Sequence, residues 1–473
     1  MARSNVLGKT SPERYAGKRT GIPAESFSCE AASPMPLRTV ERALRFRRPR
    51  ERLCRRPGLA VVLGSALWLL ACGSEAPVAK QFDGYVKVGL LHSRTGTMAI
   101  SENTVAEAEL LAIHEINAAG GLSIQGKRLA IIAIEEDGAS DWPTFARRAE
   151  KLIDQDKVAV VFGGWTSASR KAMLPIFEEK DHLLFYPIQY EGQECSRNVF
   201  YAGATPNQQI EPALDWLFEN RGKSLFLVGS DYVYPRTANS IINAKATESG
   251  AKIVGEVYLP LGSNDVAPVV EAIEKAFPRG GIVINTLNGD SNVSFFQKLK
   301  EAGIDQQHGF TILSFSIAEE EVVAIGPEYL EGTYAVWNFS NGMDTDAARS
   351  FAKAFTEMHG VHRVTSDPAE SAYVMVNLWA LAAEKAGTTE VLQVRDALIG
   401  VTFEGPAGLV EVGKNHHLSK TALIGQVLRD GSFEILESKG VIQALPWSSL
   451  LPESRGYRCD WSLDRPDAGK FKQ

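Results

Sequence analysis

The sequence predicts an α/β protein of two similar lobes, each a mostly parallel sheet with helices on both faces. Short apolar strands alternate with helices along the first half of the chain, which is the rhythm of a parallel sheet. The alternation starts afresh near Gln209, and the turns after the strands of both series are rich in aromatic and polar residues. A chain of 473 residues also has room for two or more domains.

The first series of elements runs from about residue 84 to residue 204. Gly120-Gly121 is a natural end for its first helix, and Pro143 suits the first turn of its second helix. The predicted strands are Val86–Leu91, Arg128–Ile134, Val158–Phe162 and Leu183–Tyr186, and the predicted helices are Val105–Ala118, Pro143–Asp154 and Ser167–Lys180.

The second series repeats this pattern and is followed by further helices and strands. Its predicted strands are Leu225–Val228, Ile253–Leu259 and Gly281–Asn285, and its predicted helices are Glu211–Asn220, Tyr234–Ser249, Val266–Ala276 and Ser291–Ala302. Three later helices are predicted at Asp346–His359, Glu370–Lys385 and Thr389–Ile399, before a β-rich stretch at Gly408–Glu437 and an irregular tail from Leu445.

Charge is distributed unevenly along the chain. Residues 1–71 carry 14 Lys and Arg against 5 Asp and Glu, whereas the remainder carries 36 against 52. An acidic body argues against nucleic acid as a partner. The sequence therefore predicts a protein that does not bind nucleic acid.

The basic start has the pattern of an export signal. Arginines are dense from Arg45 to Arg56, the apolar run Leu59–Leu70 follows, and Ala71-Cys72 come next. Twelve apolar residues are too few to span a bilayer core of about 30 Å. Residues 69–72 resemble a bacterial lipobox, which implies cleavage before Cys72 and its lipidation. We therefore expect a leader and signal peptide at 1–71, of which 1 to about 50 are a disordered leader or precede the true start, and a linker at 72–83; a buried core helix is the alternative.

Cysteine usage leaves one pair in the exported chain. Of five cysteines, Cys29 and Cys54 lie in the predicted leader and signal peptide, and Cys72 is the lipid site. Cys195 and Cys459 remain. In an oxidising compartment the two form either a disulfide or two free thiols. No Cys/His cluster has zinc spacing, so the sequence predicts neither a metal nor a cofactor.

The candidate site lies where the strands of both series end. The carboxyl ends of parallel strands open into one crevice, so we expect the polar and aromatic side chains there to line a single site between the lobes. The segment Gly163–Glu194 provides the first half, and the turns after Gly229 and Asn285 provide the second. The candidate ligand-binding residues are Trp165, Ser167, Tyr186, Gln189, Tyr232, Tyr234, Asn288 and Asp290.

This set of side chains suits a small planar amide or urea. Aromatic walls pack its flat face, hydroxyl or backbone N–H groups bind its carbonyl oxygen, and amide, carboxylate or tyrosine oxygens accept its N–H groups. Ordinary structural roles are the alternatives for several of these residues. Ser167 or Thr166 can cap a helix, Asp290 can cap the helix at Ser291, Tyr190 can be a packed loop aromatic and Asp231 can form a local turn.

At these residues the chain resembles the urea-binding proteins of bacterial urea ABC transporters, a family related to short-chain amide sensors and branched-chain amino-acid receptors. The motifs that carry the resemblance are LLHSRTGTM (Leu90–Met98), EDGASDWPTF (Glu136–Phe145), GGWTSASRKA (Gly163–Ala172), FYPIQYEGQE (Phe185–Glu194), GATPNQQ (Gly203–Gln209), GSDYVYPR (Gly229–Arg236) and NTLNGDSN (Asn285–Asn292). In the related amide sensors, ligand contacts come from the positions of Trp165, Ser167, Tyr186, Tyr232 and Tyr234. A Trp at 165 and Ile188-Gln189 after the Tyr-Pro turn depart from those sensors and favour urea.

The resemblance also implies an architecture. It implies a type I periplasmic-binding-protein clamshell whose chain crosses three times between lobes. Lobe I would comprise 84–204 and 334–402, lobe II would comprise 205–333 and 403–446, and 447–473 would form a C-terminal tail. The later helices would thus complete the first lobe.

Three functions follow from these patterns. The first is a lipid-anchored periplasmic or cell-surface protein that binds urea and delivers it to an ABC permease. The second is a short-chain amide receptor or an amide-sensing regulatory protein of the same fold. The third, an amidase with Cys195 or Ser167 as nucleophile, lacks a histidine base in sequence and a Gly-x-Ser-x-Gly turn. The sequence therefore predicts a binding protein and not an enzyme.

Overall fold

A computed structural model describes residues 82–472. The predicted leader and signal peptide, Cys72 and most of the linker lie outside the described residues. Within them, a six-stranded sheet has the order β2-β3-β1-β4-β5-β6, in which only the β2–β3 pair is antiparallel. Its strands are β1 (Gly84–His92), β2 (Leu122–Ile124), β3 (Lys127–Asp137), β4 (Val161–Gly163), β5 (Leu184–Tyr186) and β6 (Val199–Tyr201).

A seven-stranded sheet forms the second half, with the order β15-β14-β11-β10-β9-β7-β8. Five of its strands run parallel, and β14 and β15 add an antiparallel edge. The strands are β7 (Ser224–Ser230), β8 (Lys252–Leu259), β9 (Ile282–Thr286), β10 (Thr311–Ser314), β11 (Tyr334–Trp337), β14 (Lys420–Val427) and β15 (Phe433–Ile442). Two small pairs are separate: β12 (Thr402–Gly405) with β13 (Gly408–Glu411), and β16 (Tyr457–Arg458) with β17 (Phe471–Lys472).

Helices cover both sheets. Lobe I consists of the first sheet with α1 (Ala99–Ala119), α2 (Trp142–Lys151), α3 (Ser167–Glu179), α10 (Asp346–His359), α11 (Asp367–Ala386) and α12 (Val391–Leu398). Lobe II consists of the second sheet with α4 (Ile210–Asn220), α5 (Val233–Glu248), α6 (Ala267–Ala276), α7 (Ser291–Glu301), α8 (Glu319–Ile325) and α9 (Pro327–Leu330). Each lobe buries its own apolar core, as expected for sheets that are covered on both faces. The predicted two-lobed α/β class is confirmed.

The crossings between lobes differ from the expected boundaries. We expected lobe I to resume at 334, but β11 (Tyr334–Trp337) pairs with β10 and β14 of lobe II. We expected lobe II to resume at 403, but β13 places Val410 in the core of lobe I. The return crossings therefore lie near 338–340 and 418–420.

The crossing segments are bound to one another and to α11. The carboxylate of Asp367 accepts the backbone N–H groups of Asn338 and Phe339 at 2.7 and 2.8 Å. The side-chain amide of Gln208 donates to the carbonyl oxygen of Leu418 at 2.9 Å. Asn338 in turn donates to the carbonyl oxygen of Thr421 at 2.7 Å. These bonds connect the first crossing, which contains Gln208, with the two return crossings, so the three form one connected hinge.

The C-terminal tail is attached to the loop that follows β5. A disulfide joins Cys195 to Cys459, two residues that are 264 apart in the sequence. Nearby, the N–H of Gln193 donates to the carbonyl oxygen of Pro446 at 2.7 Å. The tail thus covers the segment that continues from the candidate site.

Candidate functional site

The predicted site residues lie at the carboxyl ends of four parallel strands, and a fifth strand adds residues that were not predicted. In lobe I, Trp165 and Ser167 follow β4, whereas Tyr186 ends β5 and Gln189 lies in the next loop. In lobe II, the tyrosines at 232 and 234 follow β7, Asn288 follows β9, and residues 315 and 316 follow β10. Ligands bind at this edge of open α/β sheets.

The turn between β4 and α3 depends on glycine. Gly163 has φ of +143°, and a Cβ atom there would lie 2.0 Å from the carbonyl oxygen of Leu91. Only glycine allows this close approach. The turn then places Trp165 before α3, where the Thr166 hydroxyl caps the helix by accepting the N–H of Ser169. Thr166, and not Ser167, is therefore the helix cap.

The lobe I half of the site is built around Arg170. Its guanidinium is fully buried, and donates from Nε to Glu194 at 2.8 Å, from Nη1 to the Ser167 hydroxyl at 3.0 Å and from Nη2 to Glu191 at 3.3 Å. The rings of Tyr186 and Tyr190 lie 4.6 and 4.7 Å from its central carbon. Each of its three guanidinium nitrogens thus donates to a protein oxygen, and two aromatic rings pack against it.

The charges around Arg170 are balanced. Glu194 also binds Lys171 at 2.8 Å. Although burial acts in the opposite direction, the charges of Arg170 and Lys171 lower the pKa of Glu194 to about 2. Two cations and the two glutamates at 191 and 194 therefore share one cluster. No unpaired cation of this cluster faces the crevice.

Three tyrosines from the two lobes surround this cluster. Tyr186, Tyr232 and Tyr234 are buried. Burial raises the pKa of each hydroxyl, and the negative charge of Glu191 raises it further. The hydroxyls are therefore neutral at physiological pH. The Tyr186 hydroxyl donates to the carbonyl oxygen of Trp165.

Direct contacts between the lobes enclose the site. The indole N–H of Trp165 donates to the side-chain oxygen of Asn288 at 3.2 Å. The side-chain amide of Gln189 donates to the carbonyl oxygen of Phe315 at 2.9 Å. The ring of Trp142, at the start of α2, lies 6.2 Å from the ring of Tyr232. The structure is thus in a closed arrangement at this site.

Several buried polar atoms at this junction make no hydrogen bond of good geometry within residues 82–472, although the Ser316 and Gln189 side chains lie close enough to the Tyr234 hydroxyl to lower its pKa against the larger effect of burial. These atoms are the Tyr234 hydroxyl, the Gln189 side-chain oxygen and the Ser316 hydroxyl. Such atoms cost free energy when they are left unsatisfied, so buried groups of this kind normally have a partner. At the start of α3, the backbone N–H groups of Ser167 and Ala168 likewise make no hydrogen bond within residues 82–472. Donors and acceptors are therefore available together at the junction.

Three residues considered in the sequence lie apart from this group. Asp290 is exposed at the rim, and its backbone N–H donates to the carbonyl oxygen of Thr97 at 3.2 Å. Its carboxylate makes no side-chain cap of α7. Tyr190 lies behind Arg170, stacks on Tyr201 at 4.9 Å and bonds to His417 at 2.6 Å. Asp231 is exposed and pairs with Arg236 at 2.6 Å.

Sequence reasoning missed Arg170, Glu191, Ser316 and Trp142. Three of them lie inside motifs that carried the resemblance, but a charged or aromatic residue in a motif does not reveal which way it faces. The spacing of Ser167 and Arg170 on one face of a helix was the available signal for the arginine. Ser316 follows a strand that the sequence analysis did not predict.

Other kinds of site are not found in the described part of the chain. Within residues 82–472, no group of three or more His, Cys, Asp or Glu side chains is arranged to hold a metal ion. Over the same residues, none of the helices is long and apolar enough to cross a membrane.

The fold and the enclosed junction define a two-lobed solute-binding protein. A family model described as a periplasmic binding protein domain matches residues 86–453. The chain belongs to this family, whose members act outside the cytoplasmic membrane. The family is one of binding proteins.

Curated relatives include an amino-acid-binding protein. The leucine-, isoleucine-, valine-, threonine- and alanine-binding protein of Pseudomonas aeruginosa is 24% identical over 333 residues, which cover 68% of this chain and 84% of that protein. A limonene hydroxylase of Geobacillus stearothermophilus is 27% identical over 127 residues, but the match spans only 27% of this chain and 23% of that protein. So short a match carries no activity over to this chain.

Solved structures share the fold. The solute-binding protein of an ABC transporter from R. palustris, in complex with benzoate, has a TM-score of 0.67 and 20% identity over 76% of this chain and 98% of that one. The branched-chain amino-acid binding protein LivJ of Streptococcus pneumoniae, in complex with isoleucine, has a TM-score of 0.64 and 22% identity over 76% and 99%.

Proposed function

We propose that the protein captures urea between its lobes and delivers it to an ABC permease. The observation that carries this proposal is the state of Arg170, in which each guanidinium nitrogen donates to a protein oxygen and the charge is paired with Glu191 and Glu194. A carboxylate ligand such as benzoate or an amino acid would find no free cation in this cluster and would lie near Glu191. A small neutral ligand avoids both costs.

The free hydrogen-bonding groups match the two ends of urea. The carbonyl oxygen of urea needs donors, and the first-turn N–H groups of α3 supply them at the positive end of the helix dipole. Its two NH2 groups need acceptors, and the oxygens of Gln189 and Glu191 supply them. The tyrosine and tryptophan rings provide apolar walls for a flat molecule.

Capture and release follow from the connected hinge. The bonds between Trp165 and Asn288 and between Gln189 and Phe315 exist only when the lobes meet. Opening about the three crossings would break them and expose the ligand, as in hinge closure of two-lobed receptors. We further propose that the lipid anchor at Cys72 holds the protein at the outer face of the cytoplasmic membrane.

Calorimetric titration of the purified protein tests the ligand. Urea, formamide, acetamide, leucine and benzoate are titrated in turn at constant pH and salt. We expect heat with urea. At about 1.5 kcal/mol for each of its four heavy atoms, the affinity ceiling corresponds to a Kd of tens of micromolar. Binding of leucine or benzoate without binding of urea would overturn the proposal, and tighter binding of acetamide would identify a short-chain amide receptor instead.

A further inference from the structure

Glu191 occupies the centre of the candidate site. It is 1% exposed and lies in the loop after β5. One carboxylate oxygen accepts the Ser167 hydroxyl at 2.5 Å, and the other accepts Arg170 at 3.3 Å. These two bonds fix the plane of the carboxylate.

The carboxylate has capacity for further donors. An ionised carboxylate offers about four acceptor positions, and two protein donors use only half of them. The charge of Glu191 also acts on the hydroxyls of Tyr186, Tyr232 and Tyr234. Because these tyrosines come from both lobes, the carboxylate lies where the lobes meet and a ligand would be enclosed.

A purely structural role accounts for this residue less well. If Glu191 only neutralised Arg170, its bond to the guanidinium should be the short one. Instead Glu194 makes the shorter contact, at 2.8 Å, and Glu191 makes its shorter bond with Ser167. Ser167 therefore directs its proton to Glu191, and within residues 82–472 only Ser167 and Arg170 donate to this carboxylate.

We infer that Glu191 is the residue that selects the ligand, by binding the NH2 group of a neutral amide or urea and repelling a carboxylate of the same shape. This inference rests on the proposed function and adds the residue that enforces it. It predicts that the protein recognises N–H donors next to a carbonyl and does not recognise the carbonyl alone.

Four small molecules of equal size separate these possibilities. Urea, acetamide, acetone and acetate each have four non-hydrogen atoms about one trigonal carbon, and differ only in their N–H groups and charge. At pH 7.5 and constant salt, we expect the native protein to bind urea, to bind acetamide, and to give no detectable binding of acetone or acetate. Acetone binding as tightly as urea would overturn the inference, because the N–H groups would then contribute nothing.

Variants of Glu191 complete the test. Glu191→Gln should weaken urea binding at least about tenfold, since a bond to a charged group contributes roughly 1.5–3 kcal/mol. It should also shift the ratio of acetate to urea affinity at least about tenfold toward acetate. Glu191→Asp, which keeps the charge, should retain the preference for urea over acetate even if affinity falls. Glu179→Gln, at the exposed end of α3, is the matched control and should change neither quantity.

The outcomes separate the two levels of the proposal. If the native protein binds neither urea nor acetamide, the proposed function fails. If it binds urea, and Glu191→Gln keeps both the affinity and the selectivity, only the role of Glu191 fails. If Glu191→Gln does not fold, as judged by its thermal transition, the comparison of urea with acetone and acetate in the native protein decides the inference.

Discussion

Two buried groups of glutamates in this protein have opposite electrostatic character. In lobe I, Glu191 and Glu194 bind Arg170, and the pKa of Glu194 is lowered to about 2. At the start of α8, Glu319, Glu320 and Glu321 are equally buried, but none forms a salt bridge within residues 82–472. Burial raises the pKa of Glu319 to about 8 and that of Glu321 to about 7. Glu194 is therefore held ionised beside the ligand site, whereas Glu319 and Glu321 favour the neutral acid.

Glu319, Glu320 and Glu321, the α8 group, lie at a second junction between the lobes. Glu321 accepts the hydroxyl of Ser101 on α1 at 2.5 Å, and Glu319 accepts the hydroxyl of Ser340 at 2.9 Å. Within residues 82–472, neither carboxyl oxygen of Glu320 makes a hydrogen bond of good geometry, and burial raises the pKa of this carboxyl well above its usual value. The comparison teaches that a cation, and not burial by itself, decides whether these carboxyls stay charged.

Replacing Arg170 should leave Glu191 and Glu194 without their main cation, like the glutamates of α8. We expect this change to lower stability more than any other described below. Arg170→Ala leaves two buried glutamates with one cation at their edge, and breaking a buried ion pair costs about 3–5 kcal/mol. Thermal unfolding is the measurement, because urea as a denaturant is also the proposed ligand. Arg148→Ala, which removes a partly exposed pair with Glu136, is the control and should cost about 1 kcal/mol or less. Equal losses in both variants would contradict the importance of the cluster.

The α8 group should make stability fall as pH rises. Glu319 and Glu321 have folded-state pKa values above the unfolded value of 4.5, so their contribution is complete below about pH 4.5 and is lost as pH rises toward 7 and 8. One unit of separation corresponds to about 1.4 kcal/mol, and we expect a loss above about 1 kcal/mol between pH 5 and 8. The double variant Glu319→Gln, Glu321→Gln should flatten this part of the curve of melting temperature against pH. An unchanged slope would show that other groups cause it.

A pair of tyrosine variants should separate the two halves of the ligand site. The Tyr186 hydroxyl donates to the carbonyl oxygen of Trp165, whereas the Tyr234 hydroxyl makes no hydrogen bond of good geometry within residues 82–472. Tyr186→Phe should therefore lower stability by about 1 kcal/mol. Tyr234→Phe should leave stability nearly unchanged, but weaken urea binding about fivefold if the hydroxyl binds the ligand. Melting without ligand and calorimetry with urea distinguish them, and a reversed pattern would contradict the assignment.

Much of the fold could be predicted, because it follows from local patterns. The helix Asp346–His359 has the predicted bounds. The membership of β11 could not be predicted, since an apolar run of four residues does not specify which sheet it joins. The pairing of β11 with β14, almost a hundred residues later, decides that. The short strands β2 and β6 were not predicted, because three residues are too few to show a strand pattern.

The site could be predicted only in part, because sequence shows which turns meet but not how each side chain faces. The strand ends converge as expected, and Trp165 reaches Asn288 across the junction. The role of Arg170 depends on two glutamates more than twenty residues away. Nothing near Arg170 in the sequence reveals that they enclose it.

Asn288 and Asp290 provide the smallest and most local comparison, since both follow β9 and only one faces the junction. Asn288 is buried and accepts the indole N–H of Trp165, whereas Asp290 is exposed at the rim and donates its backbone N–H to Thr97. Asn288→Ala should weaken urea binding by about 1 kcal/mol, because it removes a bond that exists only in the closed arrangement. Asp290→Asn should change the affinity less than about twofold, because substitutions away from buried contacts are usually within 0.5 kcal/mol. Titration of both variants with urea is the measurement. A larger loss in Asp290→Asn than in Asn288→Ala would place the ligand at the rim and not in the enclosed junction.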